Sequence, residues 1–88
     1  MSSDLKARIA ARYGVRPNVP IARLINRAIR TLPGGPEILD AIEAANAARN
    51  HAQRAGASER VVAIDAAIDR LEDIRAAMER HIMDSVGG

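Results

Sequence analysis

The amino-acid sequence predicts an all-α protein of four helices, in which a basic N-terminal helix pair precedes an Ala-rich antiparallel helical hairpin. Alanine, the residue with the highest helix propensity, accounts for 18 of the 88 residues. Apolar residues recur at three- and four-residue spacing, and no segment alternates apolar and polar residues as a half-buried strand does. This length predicts a single domain, 1–88, made of the helix pair 1–32 and the hairpin 36–86.

The first predicted helix covers about residues 4–13. Ser3 precedes it as a capping residue, and Gly14 follows it where a left-handed residue commonly ends a helix. Its apolar face is formed by residues that recur every fourth position: Leu5, Ile9 and Tyr13.

The second helix is predicted to begin with Asn18 as its cap, because Pro20 then falls where a missing N–H costs no hydrogen bond. At about 100° per residue, its apolar side contains Ile21, Leu24, Ile25, Ala28, Ile29 and Leu32. Its opposite, polar side contains Arg23, Asn26, Arg27 and Arg30.

The segment "LPGGP" at 32–36 predicts a tight corner, since neither the Gly pair nor the prolines suit a helix interior. A third helix follows at about 36–55, with an inner face of Ile38, Ala41, Ile42, Ala45, Ala48 and Ala52. Gly56 ends it, and Ser58 caps a fourth helix at about 59–85. The inner face predicted for that helix consists of Ile64, Ala67, Leu71, Ile74, Met78 and His81.

A three-residue joint between the third and fourth helices predicts an antiparallel pair, in which residues whose numbers sum to about 114 lie opposite each other. The predicted ion pairs are Arg49–Asp65, Glu43–Arg70 and Asp40–Arg75. The fourth helix outruns the third, so its end packs either on the first two helices or on another chain. We therefore predict a homo-oligomer, most simply a dimer, with self-association residues Ile74, Met78, Ile82 and Met83.

Charge is unevenly distributed along the chain. Residues 1–35 contain seven Lys and Arg against one Asp, a net charge of +6, whereas residues 36–88 contain six Arg against ten acidic residues, a net charge of −4. This asymmetry indicates either a polyanion-binding half or two ordinary solvated helix faces. The candidate residues for binding nucleic acid or an acidic partner are Lys6, Arg8, Arg12, Arg16, Arg23, Asn26, Arg27 and Arg30.

About 20 residues of the N-terminal half resemble the DNA-binding helix-turn-helix family. Ala10, Gly14 and Val15 in "IAARYGV" match the small, turn and apolar positions of that motif, and "IARLINRAIR" resembles its recognition helix. The resemblance implies DNA contacts by the outward Arg and Asn side chains of the second helix. The sequence departs from the family at the joint, where Pro17 and Pro20 predict a longer turn.

Little in the sequence indicates catalysis or cofactor binding. The absence of cysteine excludes disulfides and zinc-finger chemistry, and His51 and His81 have no neighbours at metal-ligand spacing. A single Tyr, with no Phe or Trp, provides no platform for stacking single-stranded bases. We predict no enzyme activity, no cofactor and no metal. With no apolar run near the ~18 residues of a membrane span, a cytoplasmic location without membrane contact is expected.

Two functions remain open. The leading one is a small DNA-binding or DNA-associated protein that contacts duplex DNA through its basic helix pair and dimerises through its hairpin. The alternative is a protein-binding module, such as a small inhibitor or assembly adaptor, whose basic face docks on an acidic or nucleic-acid-binding partner protein.

Overall fold

The computed structural model describes residues 2–87, and this range contains four α-helices and no β-strand. The helices are α1 (Ser2–Tyr13), α2 (Ile21–Ile29), α3 (Gly35–Arg54) and α4 (Ser58–Gly87). The all-α prediction is therefore confirmed. α1 begins before the predicted start, and the predicted capping by the Ser3 side chain lies outside the side chains that are described. None of the helices in the described range is long and apolar enough to cross a membrane.

Residues 14–20 connect α1 to α2. Gly14 adopts a left-handed φ of 67° immediately after α1, as predicted. α2 begins later than predicted, because Pro20, with φ −56° and ψ 154°, is the residue before its first turn. A residue that precedes proline is disfavoured in the helical conformation, so Val19 stays outside the helix. The prediction that Asn18 caps α2 is therefore wrong.

The corner between α2 and α3 is confirmed and depends on two glycines. α2 ends at Ile29, before its predicted end at Leu32, and Gly34 adopts a left-handed φ of 78° ahead of α3. Gly35 is buried, and a Cβ atom at this position would lie 1.7 Å from the carbonyl oxygen of Ile29. Only glycine allows the two backbones to approach this closely, so Gly35 fixes how α2 meets α3.

Residues 55–57 connect α3 to α4, and these two helices make the most extensive contact in the described chain. Gly56 is left-handed, with φ 70°, as predicted. Ser58 is the first helical residue of α4, so its prediction as the cap is wrong by one position. The predicted ion pair between Arg49 and Asp65 is confirmed, with 2.5 Å between Nε and Oδ1.

The other two predicted ion pairs are wrong, and for Asp40 and Arg75 the reason is that residues in or next to α2 take both partners. Asp40 lies 3.2 Å from Arg30, which follows α2. Arg75 of α4 donates hydrogen bonds to Asn26 of α2. The third predicted ion pair, between Glu43 and Arg70, does not form within residues 2–87.

The hydrophobic core lies where α1, α2 and the C-terminal part of α4 meet. Its buried members are Ile9, Leu24, Ile25, Ala28, Ile29 and Ile82. The predicted apolar faces of α1 and α2 are thus confirmed at their central positions. The end of α4 packs within the chain, and Ile82 has 0% exposed surface. The prediction that Ile82 is available for self-association is therefore wrong.

The inner face of α4 is offset from the prediction by one residue at three positions. Three residues of α4 that were predicted to face inward are exposed: Ala67, Ile74 and His81. On α3, Ala48 was predicted to face inward and is also exposed. In α4 the following residue is half-buried or buried in each case: Ile68, Arg75 and Ile82. Contacts with the first two helices set this rotation, because Arg75 reaches Asn26 and Ile82 fills the core beneath α1 and α2.

Candidate nucleic-acid interface

Two of the predicted binding arginines form ion pairs within the chain. Arg8 lies 3.6 Å from Asp4 and also donates a hydrogen bond of 3.3 Å to the carbonyl oxygen of Val86. Arg30 lies 3.2 Å from Asp40. These pairs are solvent-exposed, so each stabilises the fold only weakly, but both guanidinium groups already have a carboxylate partner.

Asn26 is engaged within the chain, whereas the sequence predicted it on the outward face of α2. The side chain is half-buried, and its Oδ1 atom accepts hydrogen bonds from Nη2 and Nε of Arg75 at 2.8 and 3.2 Å. An asparagine recognises adenine with both polar atoms of its amide, so this arrangement leaves Asn26 unable to make that bidentate contact. The pair instead joins α2 to α4.

Arg27 organises the connection between α1 and α2. Its Nη1 atom donates to the carbonyl oxygen of Arg16 and to Oδ1 of Asn18, each at 3.0 Å. One guanidinium group therefore holds two parts of the connecting segment against α2. This positioning function has no pattern in the sequence, because it depends on where the seven-residue connection passes over the helix.

The four other predicted cations form no ion pair and no side-chain hydrogen bond within residues 2–87: Lys6, Arg12, Arg16 and Arg23. The three arginines of this set are exposed, and Lys6 is half-buried. Their charges are thus not neutralised by a carboxylate of the described chain.

Four arginines lie within or next to the α1–α2 connection, and we call them the arginine cluster: Arg12, Arg16, Arg23 and Arg27. Arg27 contacts the backbone of Arg16 directly. Arg23 precedes Arg27 by one helical turn, which places their Cβ atoms about 5–6 Å apart. Arg12 precedes Arg16 by four residues, a separation of at most about 14 Å even for an extended chain.

The arginine cluster lies in a part of the sequence that contains no acidic residue. No Asp or Glu occurs in the sequence between Asp4 and Glu37. The ion pairs within residues 2–87 all involve other arginines. The cluster therefore presents several guanidinium groups, which bind phosphate oxygens through paired N–H donors.

The residues considered for metal binding or catalysis do not converge. No group of three or more metal-ligating side chains occurs within the part of the chain that is described, and both His51 and His81 are exposed. The Ser85 hydroxyl donates to the carbonyl oxygen of Ile82 at 2.8 Å and shares a 2.5 Å hydrogen bond with the Tyr13 hydroxyl. No pattern in the sequence indicates this bond between α1 and α4, because its partners lie 72 residues apart.

The remaining predicted self-association residues differ in exposure. Met78 and Met83 are half-buried against the core, whereas Ile74 is 44% exposed. Ile74 and Met78 line a shallow, mainly apolar groove between α4 and the α2–α3 corner, together with Leu32, Pro33, Ala77 and His81.

Comparisons with known proteins do not identify a relative: no family model, curated protein or solved structure matches the chain at a significant level.

Proposed function

We propose that this protein is a small, non-enzymatic DNA-binding protein that contacts the phosphate backbone of duplex DNA through the arginine cluster. The observation that carries the proposal is the concentration of four guanidinium groups that have no carboxylate partner within residues 2–87. Like charges held together repel one another, and a bound polyanion removes that repulsion. Binding also releases counterions from the DNA, which supplies most of the affinity of sequence-independent complexes.

The proposal assigns backbone contacts, not base recognition, to α2. A recognition helix inserts outward side chains into the major groove and follows a turn of about three to four residues. In this chain residues 14–20 form the connection, and Asn26 and Arg30 are bonded to residues of α4 and α3. Of the polar residues predicted on the outward face, Arg23 alone forms no side-chain hydrogen bond or ion pair within residues 2–87. Affinity should therefore vary little with DNA sequence.

The opposite charge of the C-terminal part supports one orientation on DNA. We infer that α3 and α4 form an antiparallel hairpin, because only three residues connect them and Arg49 pairs with Asp65. Residues 36–88, which include this hairpin, carry a net charge of −4. Phosphates repel this part and attract the α1–α2 part, so the charge distribution steers the arginine cluster toward the duplex.

The test is the salt dependence of binding to two duplexes of equal length and unrelated sequence, followed by fluorescence anisotropy. Four phosphate contacts predict a slope of log affinity against log salt of about −3.6. The variant Arg12→Gln/Arg23→Gln removes two contacts and should flatten the slope by about 1.8. The matched control, Arg54→Gln/Arg60→Gln, removes the same charge from exposed positions at the other end of the molecule and should leave the slope unchanged.

Equal loss of affinity in the two double variants would contradict the proposal, since net charge rather than the cluster would then control binding. Absence of duplex binding at low salt would also contradict it. If the arginine cluster then proved necessary for capture of an acidic protein, the cluster would belong to the alternative function, a protein-binding module.

A further inference from the structure

The outward face of α4 carries a charge pattern that neither the fold nor the arginine cluster uses. Seven exposed residues lie along it, which we call the α4 stripe: Arg70, Asp73, Ile74, Ala77, Arg80, His81 and Asp84. At about 100° per residue, all of them fall within about 60° of Ala77. The stripe is therefore one continuous face of the helix, about 21 Å long.

The α4 stripe is complementary to itself when it is reversed about Ala77. Positions seven residues before and after Ala77 carry opposite charges, Arg70 and Asp84. Opposite charges also occur at Asp73, four residues before, and Arg80, three residues after. In two antiparallel helices related by a two-fold axis at Ala77, each of these arginines faces an aspartate of the other copy. One such dimer contains four intermolecular ion pairs.

These four charged side chains have no partner of their own within residues 2–87, where the ion pairs involve only other residues. Arg80 and Asp84 are spaced one helical turn apart, yet they do not form an intrahelical pair. Their charges are consequently available to a second copy.

The apolar residues of the stripe fit the same arrangement. Ala77 lies at the two-fold axis, where a small side chain allows two helices to approach closely. The reversal places Ile74 of one copy opposite His81 of the other. His81 borders the shallow apolar groove, whose other walls include Leu32, Pro33 and Met78. Ile74, 44% exposed in the single chain, would be covered by entering that groove.

We infer that a second copy of this chain docks antiparallel on the α4 stripe and forms a two-fold symmetric dimer. This dimer is independent of the arginine cluster, which shares no residue with the stripe. A contact one helix wide and about 21 Å long is small among specific interfaces, so we expect dissociation in the micromolar range.

The experiment is a charge swap followed by sedimentation equilibrium of the full chain across micromolar concentrations. Asp73→Arg places the introduced arginine of one copy against Arg80 of the other, and Arg80→Asp places two aspartates together. Each single variant turns two attractive contacts into repulsive ones and should weaken the dimer about tenfold at low salt. The double variant Asp73→Arg/Arg80→Asp restores opposite charges and should recover dimerisation.

Mixing the two single variants provides an independent check, because only the mixed dimer then has opposite charges at both contacts. The exposed Ala47→Arg variant lies on α3, outside the stripe, and should dimerise normally. Circular dichroism verifies that every variant remains helical. A wild-type protein that stays monomeric throughout this concentration range overturns the inference. So does a dimer that tolerates both single reversals, or one that neither the double variant nor the mixture restores.

Discussion

Replacement of Gly35 by alanine should destabilise the fold far more than replacement of its neighbour Gly34. An added Cβ atom at Gly35 would lie 1.7 Å from the carbonyl oxygen of Ile29, whereas carbon and oxygen atoms approach to about 3.3–3.6 Å without repulsion. The α2–α3 corner must therefore open by more than an ångström. At Gly34 the added atom meets no other atom within 4 Å, and the penalty comes only from the left-handed φ of 78°.

The size of the effect follows from the bonds that hold the corner closed. The Ile29 carbonyl oxygen accepts a hydrogen bond from Leu32 N–H, and the Leu32 carbonyl oxygen accepts one from Gly35 N–H, both at 2.9 Å. Opening the corner weakens these two bonds at about 1 kcal/mol each, and overpacking adds about 1–3 kcal/mol. Alanine returns about 1 kcal/mol through its better helix propensity. Gly35→Ala should thus cost about 2–4 kcal/mol, and Gly34→Ala about 1 kcal/mol.

Thermal unfolding followed by circular dichroism measures both variants, at one fixed protein concentration because the inferred dimer would make Tm concentration-dependent. For a chain of this length, 1 kcal/mol corresponds to about 4–8 °C in Tm. We expect Gly35→Ala to lower Tm by at least twice as much as Gly34→Ala. A Gly35→Ala variant as stable as the wild type, or more stable than Gly34→Ala, would refute the close approach of α2 and α3.

Two further predictions concern packing and charge. Ile82 is fully buried, so Ile82→Ala should lower the free energy of unfolding, measured by urea denaturation, by about 2–5 kcal/mol. The exposed Ile74 provides the comparison, and Ile74→Ala should lower it by less than about 1 kcal/mol. Equal losses would show that the end of α4 is not packed as described. The side chains of Arg49 and Asp65 are 34% and 47% exposed, so a double-mutant cycle should give a coupling energy of about 0.2–1 kcal/mol. This coupling should decline with added salt. Zero coupling at low salt would contradict the ion pair.

Local signals in the sequence were sufficient to predict the helices and the core of the N-terminal pair. Gly14 and Gly56 follow α1 and α3 as expected, and the apolar spacing of α2 correctly placed Leu24 and Ile29 in the core. The Arg49–Asp65 pair was also predictable, because a three-residue connection restricts how two long helices align.

Long-range contacts explain what the sequence could not predict. In α4, sets of residues that differ by one position fit helical spacing almost equally well, since apolar residues occur on every side of the helix. Which side of α4 faces inward is decided by two contacts: Arg75 donates hydrogen bonds to Asn26 of α2, and Ile82 completes the core. The residues of the candidate site also depend on long-range contacts that helical spacing does not show. Helical spacing placed Arg23 and Arg27 in one stripe, but only the path of the connection shows that Arg27 holds the Arg16 backbone.

The two proposed surfaces have complementary consequences for DNA binding. The α4 stripe contains two arginines and two aspartates, so pairing of two copies through it adds no net charge at the interface. Pairing does bring a second arginine cluster into the same particle. A single cluster would make only about four phosphate contacts, and such binding weakens steeply at physiological salt. When one cluster of a dimer is bound, the other is held near the duplex at high effective concentration, so two modest contacts act together wherever both can reach phosphates. Under both proposals, weak dimerisation would therefore make DNA binding depend on protein concentration as well as on salt.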